Sequence, residues 1–355
     1  MAEIQKESIK GLLPGRNRYK PNAMEESILL EQVKQFHNQG YTVLRGVINA
    51  SEVAIVRERL DVLIAEKLTA TLDELEGKPA TGKELAAAGR TISVGGPVDS
   101  ALIGFPGLLS AAPEVAESLI RPFLLNPQLL DLAERIMGPF VQGDGFYVVG
   151  TPPTKLTGRA TGVVSRQELI AEAAGWHRDA YNHHNLWRND PGYVDDLVGG
   201  RQPFTPPLAS HMLCYLQDME GPGGPLLAVP GSHRSDFGEK PVGAEEDAVV
   251  LVDAKAGDVV FFHCDMLHSG SANRAVNAWR YMVTSFVVRA GLPHRDDFTT
   301  SSLVKALVAE AEATGDRRVL RFFAADTADG GPLCREERQW ATAINEERQL
   351  LRSTC

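Results

Sequence analysis

A histidine and an aspartate two positions apart form the first group in this chain that could do chemistry. His177 and Asp179 lie in the segment Gly175-Trp176-His177-Arg178-Asp179. On a β-strand, side chains two residues apart point to the same face, so these two can approach one point. One further imidazole would complete the two-histidine, one-carboxylate set that holds Fe(II) and leaves coordination positions open. Because the chain has nine histidines, a His-x-Asp spacing has about even odds of arising by chance. The alternative is a surface strand on which the two side chains form a hydrogen bond.

The candidate for the third ligand follows the strand that the sequence predicts most clearly. His268 comes shortly after the apolar run 259–262 and lies 91 residues beyond His177. The rival is His263, which stands at the end of that apolar run and fits a packed histidine better. We expect a β-sheet fold to bring His268 beside His177.

An arginine opens another apolar strand. Arg280 precedes the run 281–288, where a buried guanidinium is costly unless an anion pairs with it. Its planar group suits two-point contact with a carboxylate, such as the distal carboxylate of a dicarboxylic co-substrate. A structural ion pair with an aspartate or glutamate is the alternative.

Composition and charge exclude several classes of function. The 355 residues include 36 basic and 46 acidic side chains, and the net charge of −10 argues against nucleic-acid binding. No run of 18 apolar residues predicts a membrane span. The four cysteines form no CxxC pair, which favours reduced thiols in a cytoplasmic protein. Neither a nucleic acid nor a membrane is therefore expected as a partner, and the oligomeric state stays open.

The segment before the β-rich region is mostly helical. Residues 1–24 form a polar arm, and a helical period starts near Glu25. A second helix follows Asn49, and Pro127 stands at the first position of a third. Residues 66–112 show no clear period, and we expect them to be an insertion that covers the site.

The middle of the chain predicts a sheet fold, and the end returns to helix. Short β-rich runs between glycine and proline turns are typical of a sandwich or barrel: 144–149, 209–217, 225–229, 247–253, 258–263 and 280–288. Residues 25–290 are therefore expected to form one mainly β domain with flanking helices. Residues 291–355 form a helical extension, with helices expected at 303–313 and about 335–351.

The separated motifs together resemble the phytanoyl-CoA dioxygenase (PhyH) family of Fe(II)- and 2-oxoglutarate-dependent oxygenases. The pieces that carry the resemblance are residues 36–47, Trp176-His177-Arg178-Asp179, Gly224-Pro225-Leu226, residues 229–234 with Pro-Gly-Ser-His, residues 257–262, His268, Asn273 and Arg280. They span residues 25–290, and residues 291–355 match nothing in the family pattern.

The resemblance implies a double-stranded β-helix, which is a jelly roll of the cupin type. It implies that Fe(II) is held by His177, Asp179 and His268. It also implies that 2-oxoglutarate chelates the iron at one end and pairs with Arg280 at the other, with O2 as the oxidant. The spacing from the distal histidine to this arginine varies in the family, so Arg274 is a weaker rival of Arg280.

The family pattern also bears on two neighbouring positions. Family members often carry a serine two residues after the distal histidine, where this chain has Gly270. We expect Ser271 to take that place in holding the co-substrate. The Pro-Gly-Ser-His segment, which contains His233, is a structural turn in the family, and we expect the same here.

The implied reaction is the oxidation, most simply the hydroxylation, of a small organic substrate in secondary metabolism, with release of succinate and CO2. The segments expected to line the substrate pocket are 66–112, 150–175 and 181–207, with the C-terminal helices as a further candidate. Two other functions stay open. A cupin-like metal-dependent hydrolase or isomerase would share the histidines but give no role to Arg280, and a catalytically silent jelly-roll binding protein would need no metal.

Overall fold

The computed structural model describes residues 23–74, 92–93, 101–104, 113–138, 141–151, 153–154, 160–173, 175–179, 207–219, 221–234, 241, 243–289 and 301–326. Several predicted features lie outside these residues. They are the arm up to residue 22, most of the 66–112 insertion, the segment 181–206 and the helix expected at about 335–351.

Helices precede and follow the strands. Their bounds are α1 Ala23–Gln39, α2 Ala50–Glu74, α3 Pro113–Leu119, α4 Pro127–Met137, α5 Arg166–Glu172, α6 Ser302–Thr314 and α7 Arg317–Phe322. A π-helical turn, Ile120–Leu124, joins α3 to α4. Helix α4 begins as predicted, because Asn126 Oδ1 accepts hydrogen bonds from the amides of Gln128 and Leu129. In the part of the chain that the structure describes, no helix is long and apolar enough to cross a membrane.

Within the described residues, ten strands form two antiparallel sheets. The strands are β1 Tyr41–Leu44, β2 Ile92–Ser93, β3 Ala101–Gly104, β4 Val141–Thr151, β5 Ala209–Tyr215, β6 Leu226–Ala228, β7 Val250–Val252, β8 Val259–His263, β9 His268–Gly270 and β10 Arg280–Arg289. The larger sheet has the order β1-β8-β5-β10-β4-β3-β2, and the smaller has the order β7-β6-β9. Two packed antiparallel sheets with flanking helices confirm the predicted jelly-roll class.

The larger sheet packs helices on one face and the smaller sheet on the other. In β5, Met212 and Cys214 belong to the core shared with the helices, whereas Leu213 and Tyr215 belong to the core shared with the smaller sheet. Strand β10 alternates in the same way. Arg280 and Thr284, which are in phase with Met282, therefore lie on the inner face between the sheets.

The C-terminal helices α6 and α7 dock on the helical side of the larger sheet. The ring of Phe322 lies against Gly143 of β4, where an added Cβ would come within 2.5 Å of the ring. Arg318 forms ion pairs with Asp131 at 2.6 Å and Glu134 at 3.1 Å, both on α4. The described residues of the predicted extension, 301–326, thus contain two helices that pack against the rest of the chain.

Candidate metal centre

The structure brings the three predicted metal ligands together. One ligand atom from each of His177, Asp179 and His268 lies within 4.8 Å of the others. The Oδ1 atom of Asp179 is 3.7 Å from Nε2 of His177 and 3.9 Å from Nε2 of His268. Both separations are too long for hydrogen bonds, so the three atoms surround a common point without bonding to one another.

Backbone pairing explains how residues 91 positions apart meet. The amide of His177 donates to the carbonyl of His268 at 2.9 Å, and the amide of His268 donates to the carbonyl of His177 at 3.1 Å. Two residues further on, the amide of Asp179 donates to the carbonyl of Cys264 at 2.8 Å. The segment 175–179 therefore lies antiparallel beside β9, which places both ligand segments next to each other.

Each candidate histidine is oriented through its Nδ1 atom. Nδ1 of His177 lies 2.6 Å from the carbonyl of Gly175, and Nδ1 of His268 lies 2.9 Å from the carbonyl of Met266. A carbonyl can accept only, so each Nδ1 carries the hydrogen and donates it. In the neutral form of each ring, Nε2 then carries the lone pair and is directed at the cluster, which is the form that binds a metal.

Electrostatics hold these groups in the protonation states that a metal requires. Burial alone would raise the pKa of the Asp179 carboxyl, but the three surrounding imidazoles outweigh burial and hold that pKa well below its usual range. Burial lowers the pKa of His268 to about 4, and the nearby carboxylate of Asp179 opposes this shift without reversing it. At neutral pH the site therefore offers a carboxylate and a neutral imidazole.

The three ligands differ in exposure. The side chain of His177 is 54% exposed, whereas those of Asp179 and His268 are 10% and 5% exposed. The cluster is thus closed on the side of the two buried residues and open to solvent beside His177.

A fourth residue at the site was missed by the sequence analysis. Nδ1 of His211, on β5, lies 2.9 Å from Oδ2 of Asp179, and its Nε2 contacts Oγ1 of Thr284 on β10. The alternation of β5 could have placed His211 on the inner face with Leu213, but no sequence spacing links it to a residue 32 positions earlier. Its partner is set by how the strands are arranged in space.

Arg280 lies on the inner face, close to the three candidate metal ligands. Its Nη1 donates to the carbonyls of Gly224 at 2.7 Å and Ser271 at 2.6 Å, and its Nη2 donates to Oγ1 of Thr151 at 3.0 Å. Ser271 is three residues beyond His268, so their Cα atoms are at most about 11 Å apart. Among the described residues, no carboxylate forms an ion pair with Arg280.

The rival residues have other partners. Arg274 forms an ion pair with Glu172 and also donates to the carbonyl of Ala160, so its charge is neutralised by the chain. His263 stacks on Phe36 of α1 at a ring-centroid distance of 5.9 Å, and its Nδ1 accepts the amide hydrogen of Asp265. Neither rival contributes to the cluster.

Ser271 lies next to Arg280, but its hydroxyl is engaged. Its Oγ donates to the carbonyl of Pro225 at 2.6 Å, and the side chain is buried. The remaining lone pairs of this oxygen can accept hydrogen bonds, but its proton is directed at the neighbouring strand.

The Pro-Gly-Ser-His turn packs against the end of α1. Nε2 of His233 donates to the carbonyl of His37 at 3.1 Å, and the amide of Gly231 donates to the carbonyl of Gln39 at 2.8 Å. Gly40 has a φ of +88°, and a Cβ there would lie 2.7 Å from Nδ1 of His233. Close packing therefore requires glycine at position 40, and the turn has the structural place expected for it.

Comparison with known proteins gives matches that cover the site. Residues 110–280, which include all three candidate ligands and Arg280, match the model of the family described as phytanoyl-CoA dioxygenase (PhyH). The ectoine dioxygenase of Bordetella parapertussis is 22% identical over 288 residues, covering 74% of this chain and 75% of the relative.

Two solved structures are among the matches. The non-heme alpha ketoglutarate dependent epimerase SnoN from nogalamycin biosynthesis is 19% identical with a TM-score of 0.45, covering 79% of this chain and 89% of SnoN. HygX from Streptomyces hygroscopicus, solved with nickel, 2-oxoglutarate and hygromycin B bound, is 14% identical with a TM-score of 0.45, covering 78% of this chain and 93% of HygX.

Proposed function

Because residues 110–280 match the phytanoyl-CoA dioxygenase (PhyH) family model, we propose that this chain is a member of that family and hydroxylates a small organic substrate, with release of succinate and CO2. The enzyme class is that of the 2-oxoglutarate-dependent non-haem iron dioxygenases, with Fe(II), 2-oxoglutarate and O2 as the reactive partners. We propose three further points: that the residues named below form the site, that the oxidation is a hydroxylation, and that the substrate belongs to secondary metabolism.

The observation that carries this proposal is the donor set of the cluster. Two imidazole Nε2 atoms and one carboxylate oxygen converge at separations of 3.7 and 3.9 Å, which leaves room between them for an ion. Two histidines and one carboxylate, with further positions open, are the ligand set of non-haem Fe(II) oxygenases. The residues present therefore fit the metal that the family implies.

His177, Asp179 and His268 would hold the metal, each through one atom. When bound, Fe(II) couples the oxidative decarboxylation of 2-oxoglutarate to the oxidation of a substrate C–H bond. Because Asp179 supplies the carboxylate, no ligand position is vacated for a halide, and this favours hydroxylation over halogenation.

Arg280 is the residue that we assign to the distal carboxylate of 2-oxoglutarate. Its guanidinium is fixed by three strong hydrogen bonds to neutral oxygens, so its orientation is set while its charge is not neutralised by them. Its Nε and one Nη2 hydrogen have no partner among the described residues. These donors are suited to a carboxylate, which a partly buried guanidinium requires.

The open side of the cluster, beside His177, is where we place the substrate. Oxidation requires the substrate to approach the metal without displacing the buried ligands Asp179 and His268. The half-exposed ring of His177 marks the side on which solvent, and hence a diffusing molecule, reaches the cluster.

Anaerobic Fe(II) and 2-oxoglutarate binding, followed by a succinate-release screen, tests this function. The screen would include ectoine, because a relative is named for it. Asp179→Asn is expected to abolish Fe(II) binding and succinate release. Asp253→Asn is the matched control, because Asp253 is 60% exposed and pairs with Arg45 away from the cluster.

The outcomes separate the three functions. Binding of Fe(II) together with turnover of 2-oxoglutarate supports the dioxygenase. Metal binding without any 2-oxoglutarate turnover would favour the hydrolase or isomerase. Absence of specific metal binding, with equal behaviour of both aspartate variants, would favour a silent binding protein and contradict the proposal.

A further inference from the structure

We propose that His211 is a positioning residue that restricts Asp179 to binding the metal through one oxygen. This inference rests on the proposed function, because it takes Asp179 to be a metal ligand. It adds a fourth residue whose role is to orient a ligand without touching the metal.

The two oxygens of Asp179 have separate partners. Oδ1 is directed at the Nε2 atoms of both candidate histidine ligands, at 3.7 and 3.9 Å. Oδ2 is 2.9 Å from Nδ1 of His211, which is hydrogen-bond distance for a charge-assisted bond. The carboxylate is 10% exposed, so water has little access to replace this donor. The carboxylate is therefore turned with one oxygen towards the cluster and the other towards β5.

His211 is itself held in a fixed orientation. Its ring stacks on Phe286 with a centroid distance of 4.0 Å and an interplanar angle of 15°. The centroid of the Phe262 ring lies 4.9 Å from that of His211. Phe286 is the residue paired with His211 in the β5–β10 register. Thr284 lies against Nε2 at the far edge of the ring. A neutral imidazole fits all these contacts, with Nδ1 donating to Asp179 and Nε2 accepting from the Thr284 hydroxyl.

This arrangement has a consequence for the metal. A carboxylate free to rotate can bind an ion through both oxygens and so occupy an additional coordination position. The hydrogen bond from His211 opposes that rotation, and it keeps open a position that the co-substrate and O2 require.

Two substitutions separate positioning from packing. His211→Phe retains an aromatic ring to stack on Phe286 but removes both nitrogens. His211→Asn retains a nitrogen donor near the position of Nδ1 but removes the stacked ring. If His211 only packs, His211→Phe is the milder change, whereas if it positions Asp179, His211→Asn is the milder change for the metal site.

The readout is anaerobic titration of the apo-protein with Co(II), whose visible absorption reports both affinity and coordination number, alongside the melting temperature without metal. We expect His211→Phe to weaken Co(II) affinity by about 10-fold to 100-fold and to alter the spectrum. His211→Asn is expected to bind Co(II) more tightly than His211→Phe although it melts at a lower temperature.

Co(II) binding by His211→Phe with wild-type affinity and spectrum would overturn the inference. If His211→Phe does not fold, His211→Leu takes its place beside His211→Asn, because the two side chains are similar in size and only asparagine retains a donor. Equal Co(II) affinity and spectrum in these two variants would then overturn it. Asp179→Asn separates failure of this inference from failure of the proposed function. Wild-type Co(II) binding by that variant would contradict the proposed function itself, not merely the role of His211.

Discussion

The carbonyl oxygen of Ser232 accepts a hydrogen bond from Arg178, the residue between the candidate ligands His177 and Asp179, at 3.1 Å. The hydroxyl oxygen of the same serine accepts a hydrogen bond at 2.8 Å from the amide of Leu267, which directly precedes the third ligand. One residue of the Pro-Gly-Ser-His turn therefore connects both ligand segments. The turn does not touch the cluster, yet it fixes the distance between its two halves.

Ser232→Ala is expected to destabilise the protein and weaken metal binding together. It leaves the buried amide of Leu267 without an acceptor, which costs about 1–3 kcal/mol. Denaturant unfolding and Co(II) titration measure the two effects. The matched control is Ser269→Ala, since this equally buried serine makes only a 3.2 Å contact with the carbonyl of Gly270. Equal effects of the two variants would contradict the connecting role of Ser232.

Arg280→Gln is expected to raise KM for 2-oxoglutarate while leaving metal affinity near that of the wild type. A hydrogen bond to a charged group contributes about 1.5–3 kcal/mol, which corresponds to an increase of about 10-fold to 100-fold. Arg274→Gln provides the control, because Arg274 is paired with Glu172. A larger rise in KM for Arg274→Gln would reassign the co-substrate to the rival arginine.

Gly224→Ala is expected to impair co-substrate binding by displacing Arg280. A Cβ at this position would lie 2.4 Å from the carbonyl oxygen of Ala272 and 2.7 Å from Nη1 of Arg280, on a backbone with a φ of +75°. Gly315→Ala is the control, since its φ is +70° and nothing lies within 4 Å of its added Cβ. Both variants carry backbone strain of about 1–3 kcal/mol, but only Gly224→Ala should raise KM for 2-oxoglutarate.

The stability of the metal-free protein is expected to fall as the pH decreases from 6.5 to about 4. His268 has a pKa of about 4 in the folded chain against an ordinary value of 6.5, so the unfolded chain binds more protons between these values. Protonation therefore favours unfolding in this window, by on the order of 3 kcal/mol in total.

Urea denaturation in a chelator at several pH values measures this dependence. His268→Gln is expected to flatten the slope between pH 4 and 6.5, whatever its effect on absolute stability. Asp179 acts in the same direction at lower pH, because its depressed pKa makes the folded carboxyl the stronger acid. A slope in His268→Gln equal to that of the wild type would contradict the assignment.

Local patterns, together with the family resemblance, predicted which three residues meet at the candidate site, but not the residues that support them. The spacing of His177 and Asp179 on an extended segment, and the position of His268 beyond an apolar strand, depend on periodicities that a sequence displays. The helix start at Pro127 and the end of α6 at Gly315 depend equally on local capping chemistry. The number and spacing of the β-rich runs predicted a sandwich or barrel, and the family resemblance specified a jelly roll.

The contacts made by His211 and Ser232 depend on strand order, which no local pattern specifies. His211 meets Asp179 because β5 lies beside β10 in the sheet that faces the small sheet, although 32 residues of chain separate the pair. Ser271 shows the converse case: we expected it to replace the serine that family members carry at the position of Gly270, but the carbonyl of Pro225 takes its proton. Hydroxyl direction follows from neighbouring strands, which sequence spacing does not reveal.

The two-way backbone bridge between His177 and His268 also bears on how the protein resists unfolding. An ion shared by these two side chains would act as a cross-link that closes a loop of about 90 residues, and such closure reduces the entropy of the unfolded chain. Metal loading would then reinforce the junction of the small sheet in the way that a disulfide reinforces a secreted domain.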